Sequence, residues 1–151
     1  MVNHLKVAAE FVDQTLEFLI NDINRNLYSG RIDAFFEEYE LESNLRQICF
    51  EEKWSQEKFL SFRKAVIDAI KTEFLPHISK LYHTEMEENY LDYQDMNYYL
   101  NKEYLNDDTI EDDEDLSEEK VASYINDFKK SIAERKPKLE KLEKLLLELK
   151  Q

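Results

Sequence analysis

The chain has 151 residues, 20 Lys and Arg against 34 Asp and Glu for a formal charge of −14, and 42% hydrophobic residues, enough for one core. A single Gly argues against hairpin-rich all-β folds and removes glycine-rich phosphate loops, and a single Cys (Cys49) excludes a disulfide framework or a multi-cysteine zinc site. There is no apolar run of about 18 residues and no basic-then-apolar leader, so a soluble, cytoplasmic protein without membrane association is expected.

The spacing predicts an all-α fold, a single-domain bundle of five or six helices over residues 1–151. Asn3, Ser55 and Ser117 are placed to cap three helix starts. Each follows an apolar residue that recurs five positions on (Val2 with Val7, Trp54 with Phe59, Leu116 with Val121), the spacing of a hydrophobic staple. The first helix should run from about Val2 to Tyr28. Leu5, Ala9, Val12, Leu16, Leu19, Ile23 and Leu27 line its face, widened by Phe11, Phe18 and Ile20, which puts it at the centre of the fold. Ser29-Gly30 is the expected stop.

A second helix is expected over Arg31 to Lys53 and a third over Gln56 to Leu75. A fourth should start afresh at Pro76 and run to Leu105. On this fourth helix Tyr82, Met86, Tyr90, Tyr93, Asn97, Leu100 and Tyr104 share a sector about 80° wide, read as its buried stripe. Glu88, Asp92, Asp95, Tyr99 and Glu103 then face outward, with Tyr98 at the flank. Leu91, Tyr98 and Leu105 form a further line at seven-residue steps.

Charge is concentrated here. Residues 85–119 carry 15 acidic side chains and one basic, Lys102, and the flanking segments cancel each other. Within this block, residues 106–116 have no helical periodicity and read as a mobile acidic loop. A fifth helix should follow from Ser117. Past Pro137, Leu139, Leu142, Leu146 and Leu149 form a leucine seam over 138–150, for packing in cis or for an oligomer.

Catalytic chemistry is sparse. Glu73 with His77 and His83 with Glu87 are i,i+4 pairs, but neither has the Glu-x-x-His spacing of bundle metal sites. Asp107, Thr109, Glu111 and Glu118 mimic calcium-loop positions, yet Asp112 stands where the sharp turn needs Gly. Cys49, between Ile48 and Phe50, reads as a small hydrophobe. No enzyme activity, metal or cofactor is expected, and no family's motifs match residue by residue.

Two functional readings follow. In the first, Glu88, Asp92, Asp95, Tyr98, Tyr99 and Glu103 bind a basic protein partner, such as a nuclease or another nucleic-acid-binding protein. The protein would then block or mask that partner, in the manner of nuclease-immunity proteins and phage inhibitors of restriction or CRISPR machinery. Carboxylates would mimic phosphates and steer encounter, and tyrosines would anchor the contact. Direct nucleic-acid binding is not expected from so acidic a chain. In the second reading the chain is an adaptor, chaperone or regulatory subunit that assembles through Leu139, Leu142, Leu146 and Leu149, which leaves a homo-oligomer open.

Overall fold

The computed structural model describes residues 2–104 and 117–151, and of 102–104 only the backbone. The expected loop 106–116, the calcium-like positions within it, Leu105, and the side chains of Glu103 and Tyr104 lie outside the described residues. The described chain is all-α. Its five helices are α1 (His4–Asn24), α2 (Ile32–Glu38), α3 (Leu41–Glu52), α4 (Gln56–Tyr104) and α5 (Glu118–Lys150).

The three expected caps are formed. Asn3 Oδ1 accepts from the Leu5 N–H at 2.8 Å, Ser55 Oγ from Lys58 at 3.2 Å and Ser117 Oγ from Lys120 at 3.2 Å. The stops differ from expectation. α1 ends four residues before Tyr28, in a Schellman turn: Asn26 N–H donates to Ile23 and Leu27 N–H to Asp22, with Asn26 left-handed at φ 58°. Gly30 has φ 89° but serves the connection to α2 instead. The single second helix expected from Arg31 to Lys53 is two helices, broken where Glu40 takes φ 59° and its N–H bonds Glu37. α3 closes with Lys53 at φ 55°, its N–H on Phe50 and the Trp54 N–H on Cys49.

Neither internal proline ends a helix. Pro76 and Pro137 both lie inside, so the expected third and fourth helices are one, as are the fifth and the last. An interior proline costs about 3 kcal/mol. Burial on both sides offsets it at Pro76, since Phe74 and Ile78 are wholly buried.

The chain forms two compact units. Unit 1 is residues 1–81 with 140–151, and unit 2 is residues 82–139; α4 and α5 each run through both. Unit 1 holds the larger core. α1 contributes Ala8, Phe11, Val12, Leu19 and Ile23, and α4 contributes Phe59, Val66, Ile70, Phe74 and Ile78. Phe11 meets Phe36 edge-on at 5.8 Å, and Phe35 meets Phe74 at 6.2 Å. The apolar face of α1 is narrower than its sequence implies, since Leu5 and Phe18 are more than half exposed.

The end of α5 completes unit 1. Leu142, Leu145 and Leu149 are buried, while Leu139 and Leu146 are only half-buried. Two of the four expected seam leucines, Leu142 and Leu149, are thus covered by their own chain, as is Leu145, a position outside the expected leucine set. Glu148 adds a polar tie. Arg31 gives α2 no side-chain cap, and Glu148 Oε2 accepts from the Ile32 N–H at 2.9 Å instead, placing a carboxylate at that helix start.

Candidate functional site

Unit 2 contains the acidic stretch of α4 and the first two-thirds of α5, and a fork of charge joins them. Arg135 on α5 reaches three carboxylates of α4: Nη1 donates to Asp92 Oδ2 at 2.6 Å, Nε donates to Glu85 Oε2 at 3.3 Å, and Nη2 lies 3.7 Å from Glu88 Oε2. Lys138 Nζ donates to the other oxygen of Glu85 at 2.5 Å. The Arg135, Glu85 and Lys138 side chains are 14%, 12% and 14% exposed. Burial alone would lower the Arg135 pKa, but Asp92 and Glu85 more than offset it, so the guanidinium is held above its ordinary value and stays charged.

Aromatic packing continues the same face. Tyr99, seven residues after Asp92, stacks on Phe128 at 6.0 Å between ring centres and tilts against Tyr124 at 5.2 Å. Glu85, Asp92 and Tyr99 therefore make one inward line at seven-residue steps, capped on α5 by Arg135, Phe128 and Tyr124. Val121 and Ile125 of α5 are buried in this unit.

This corrects the expected orientation of the helix. Asp92 and Tyr99 do not face solvent; both are half-buried against α5. Glu88 is exposed, its side chain at 55%, but it stands at the edge of the fork. Asp95 and Tyr98 are exposed as expected. The stripe read as core is largely outside it: Met86, Tyr90, Tyr93 and Asn97 are exposed, and Tyr82 and Leu100 are half-buried. Relative to the sequence reading, the helix is turned by roughly a quarter of its circumference. The physical reason is pairing. Carboxylates go inward only where cations meet them, and Arg135 and Lys138 are 43 to 53 residues away in sequence. Sequence reasoning does not single out Glu85, Arg135 or Lys138. The available signal is the Glu85–Asp92–Tyr99 repeat together with two cations three residues apart on the partner helix.

The outward face of α4 in this unit is centred on Glu87, Leu91, Gln94 and Tyr98, all exposed, with Tyr90 on one side and Asp95 on the other. Gln94 Nε2 donates to the Tyr90 hydroxyl at 3.0 Å. Chemically this face offers anionic oxygens and flat aromatic area.

Elsewhere, Cys49 is half-buried with its Sγ 3.8 Å from the Trp54 carbonyl. Among the described residues no three His, Cys, Asp or Glu side chains come together as a metal site. No described helix is long and apolar enough to cross a membrane. No family model, curated protein or solved structure matches the chain.

Proposed function

We propose that the protein is an acidic interaction protein that blocks or masks a basic, nucleic-acid-handling partner, using unit 2 as its docking element. The observation that carries this reading is the segregation of charge. Residues 82–139 hold 17 acidic and 7 basic side chains, a formal −10, so the rest of the chain carries only −4 of the total. Such a field raises the encounter rate with a basic surface and disfavours acidic ones.

The contact face follows from the orientation of α4. Glu87, Asp95 and the outer part of Glu88 supply charge that Arg135 does not fully neutralise, and Leu91, Tyr90 and Tyr98 supply area that excludes water. Asp92 and Tyr99 support this face from behind. The alternative of assembly through Leu139, Leu142, Leu146 and Leu149 is less favoured, because Leu142 and Leu149 are buried within their own chain and only Leu139 and Leu146 keep part of their surface.

The test is affinity capture on the immobilised full chain at low salt, followed by elution with a duplex DNA fragment. A partner of this class is basic, is displaced by the DNA, and is lost with Tyr98→Ala or with Glu87→Lys combined with Asp95→Lys. Captured proteins that are not basic, or that ignore both the DNA and the variants, would overturn the reading.

A further inference from the structure

Unit 1 carries a depression whose lining includes two cations and no carboxylate, although Arg46 is also paired with Glu42 outside it. It opens between the end of α3 and the start of α4, with a volume of about 430 Å³. Its walls are Arg46, Cys49, Phe50, Lys53, Trp54, Gln56 and Phe59. Two of these residues are cations and none is a carboxylate, in a chain where acidic residues outnumber basic ones by 34 to 20.

The apolar part is aromatic and incompletely covered. Phe59 is buried at 1% exposure, Trp54 is half-buried against Phe62 at 4.7 Å, and Phe50 is 81% exposed. Cations lie over two of the rings: the Arg46 guanidinium is 5.1 Å from the Phe59 ring centre, and the Lys58 ammonium 5.1 Å from that of Trp54. Glu42 of α3, bonded by Arg63 at 2.6 Å, also holds Arg46 at 3.2 Å, so the guanidinium is positioned before any ligand arrives.

Lys53 adds an independent observation. It closes α3 at φ 55°, a conformation that Gly adopts without steric cost and an L-residue does not. Here that position carries a lysine on the wall of the depression. A depression of this size with aromatic walls and two cations in its lining has the dimensions of a small-molecule site.

We propose that this depression binds a small anionic ligand with a flat apolar body, of the class of aromatic carboxylates or sulfonates. The ring system packs against Trp54 and Phe50, and the anion meets Arg46 and Lys53. The inference rests on unit 1 alone and is independent of the reading of unit 2.

Trp54 is the only tryptophan of the chain and stands in the wall, so its emission reports on occupancy. The experiment uses the full-length protein and two probes, 1-anilinonaphthalene-8-sulfonate and its uncharged counterpart N-phenyl-1-naphthylamine. Energy transfer from Trp54 reports that a probe is bound, and its weakening in Phe50→Ala, a wall residue that is 81% exposed, assigns the probe to the depression. The sulfonate is expected to bind about tenfold more tightly than the neutral probe. Lys53→Gly should cut that preference severalfold, and Lys53→Gly with Arg46→Gln should erase it. Lys53→Gly relieves the backbone at φ 55°, so its melting temperature should not fall, which separates lost binding from lost folding. Equal affinity for the two probes, a preference that survives both substitutions, or failure of the sulfonate to quench Trp54 would overturn the proposal.

Discussion

Arg135 Nη1 lies 2.6 Å from Asp92 Oδ2, and this contact between α5 and α4 sets which way the acidic helix faces within unit 2. The guanidinium also binds Glu85, whose other oxygen takes Lys138. Two cations thus serve Glu85 and Asp92, whose side chains are 12% and 21% exposed. Removing one member strands a charge of the opposite sign in a poorly solvated position.

Arg135→Met is therefore expected to destabilise unit 2 by about 3 kcal/mol, because Asp92 and half of Glu85 lose their partner. Arg135→Lys should recover only part of the loss, since an ammonium cannot span Glu85 and Asp92 as the planar fork does. Urea denaturation followed by circular dichroism measures both. Equal stability of Arg135→Met and the parent protein would show that the cluster is solvated.

Tyr99 supplies the second test of orientation. Its ring is packed between Tyr124 and Phe128. Tyr99→Ala is expected to cost about 2 kcal/mol, less than a fully buried aromatic because the side chain is only half-buried. Tyr98→Ala, one residue away and 55% exposed, should cost under about 1 kcal/mol. Thermal melts of the two variants side by side decide which face is inside. The reverse order would restore the orientation read from the sequence alone.

These two residues show what is legible in the sequence. The helical class, the starts at Asn3, Ser55 and Ser117, and most of the core of α1 follow from local rules, because caps and 3.6-residue periodicity are properties of neighbouring residues. Stops are less legible. Asn26, Glu40 and Lys53 adopt left-handed conformations without being glycine, while the one Gly is not a helix stop. Local propensity marks Pro76 and Pro137 as boundaries, yet the helix runs through both. The facing of α4 depends on Arg135 and Lys138, whose sequence separation no local pattern encodes. A leucine stripe is visible near the C-terminus, but not that Leu145 is its innermost member together with Leu142.

The leucines of α5 give a sharp contrast between nearby positions. Leu145 is wholly buried and Leu147 is 65% exposed. Leu145→Asp places an unpaired carboxylate in the core of unit 1 and is expected to cost several kcal/mol, enough to unfold much of a marginally stable population. Leu147→Asp should change stability by about 0.5 kcal/mol or less. Proteolytic resistance and far-ultraviolet circular dichroism at room temperature read this directly. A Leu145→Asp variant that melts like the parent would place the seam outside the core.

Backbone strain gives a stabilising prediction. Glu40 sits at φ 59° between α2 and α3, with its N–H on Glu37. A left-handed L-residue costs roughly 1 kcal/mol relative to Gly, partly offset by the greater unfolded-state freedom of Gly. Glu40→Gly should therefore raise stability by about 0.5 kcal/mol. Glu40→Ala keeps a Cβ in the left-handed conformation and should show no such gain. A denaturation midpoint for each variant tests the pair, and equal midpoints would mean that the turn carries no strain.

Tyr28 lies in the core of unit 1 at 3% exposure, and its hydroxyl has no hydrogen-bond partner there. Burial raises its pKa far above the ordinary 10.0, and the nearby Glu148 and Asp33 charges push it further the same way. Two effects follow. At neutral pH the unpaired hydroxyl is a desolvation cost with no compensating bond, so Tyr28→Phe should gain about 1 kcal/mol. At alkaline pH the unfolded chain can ionise this phenol while the folded chain cannot. The stability tied to the neutral side chain is whole below pH 10.0 and is lost as pH rises through the interval between the unfolded and the folded value. The advantage of Tyr28→Phe over the parent should thus be constant from neutrality to about pH 9 and should widen above about pH 10. Chemical denaturation of both proteins at about pH 7, 9 and 10.5 measures the difference and cancels the titration of the other tyrosines. A difference that stays flat across this range, or a loss of stability in Tyr28→Phe at neutral pH, would mean that the hydroxyl is hydrogen-bonded or hydrated in the folded protein.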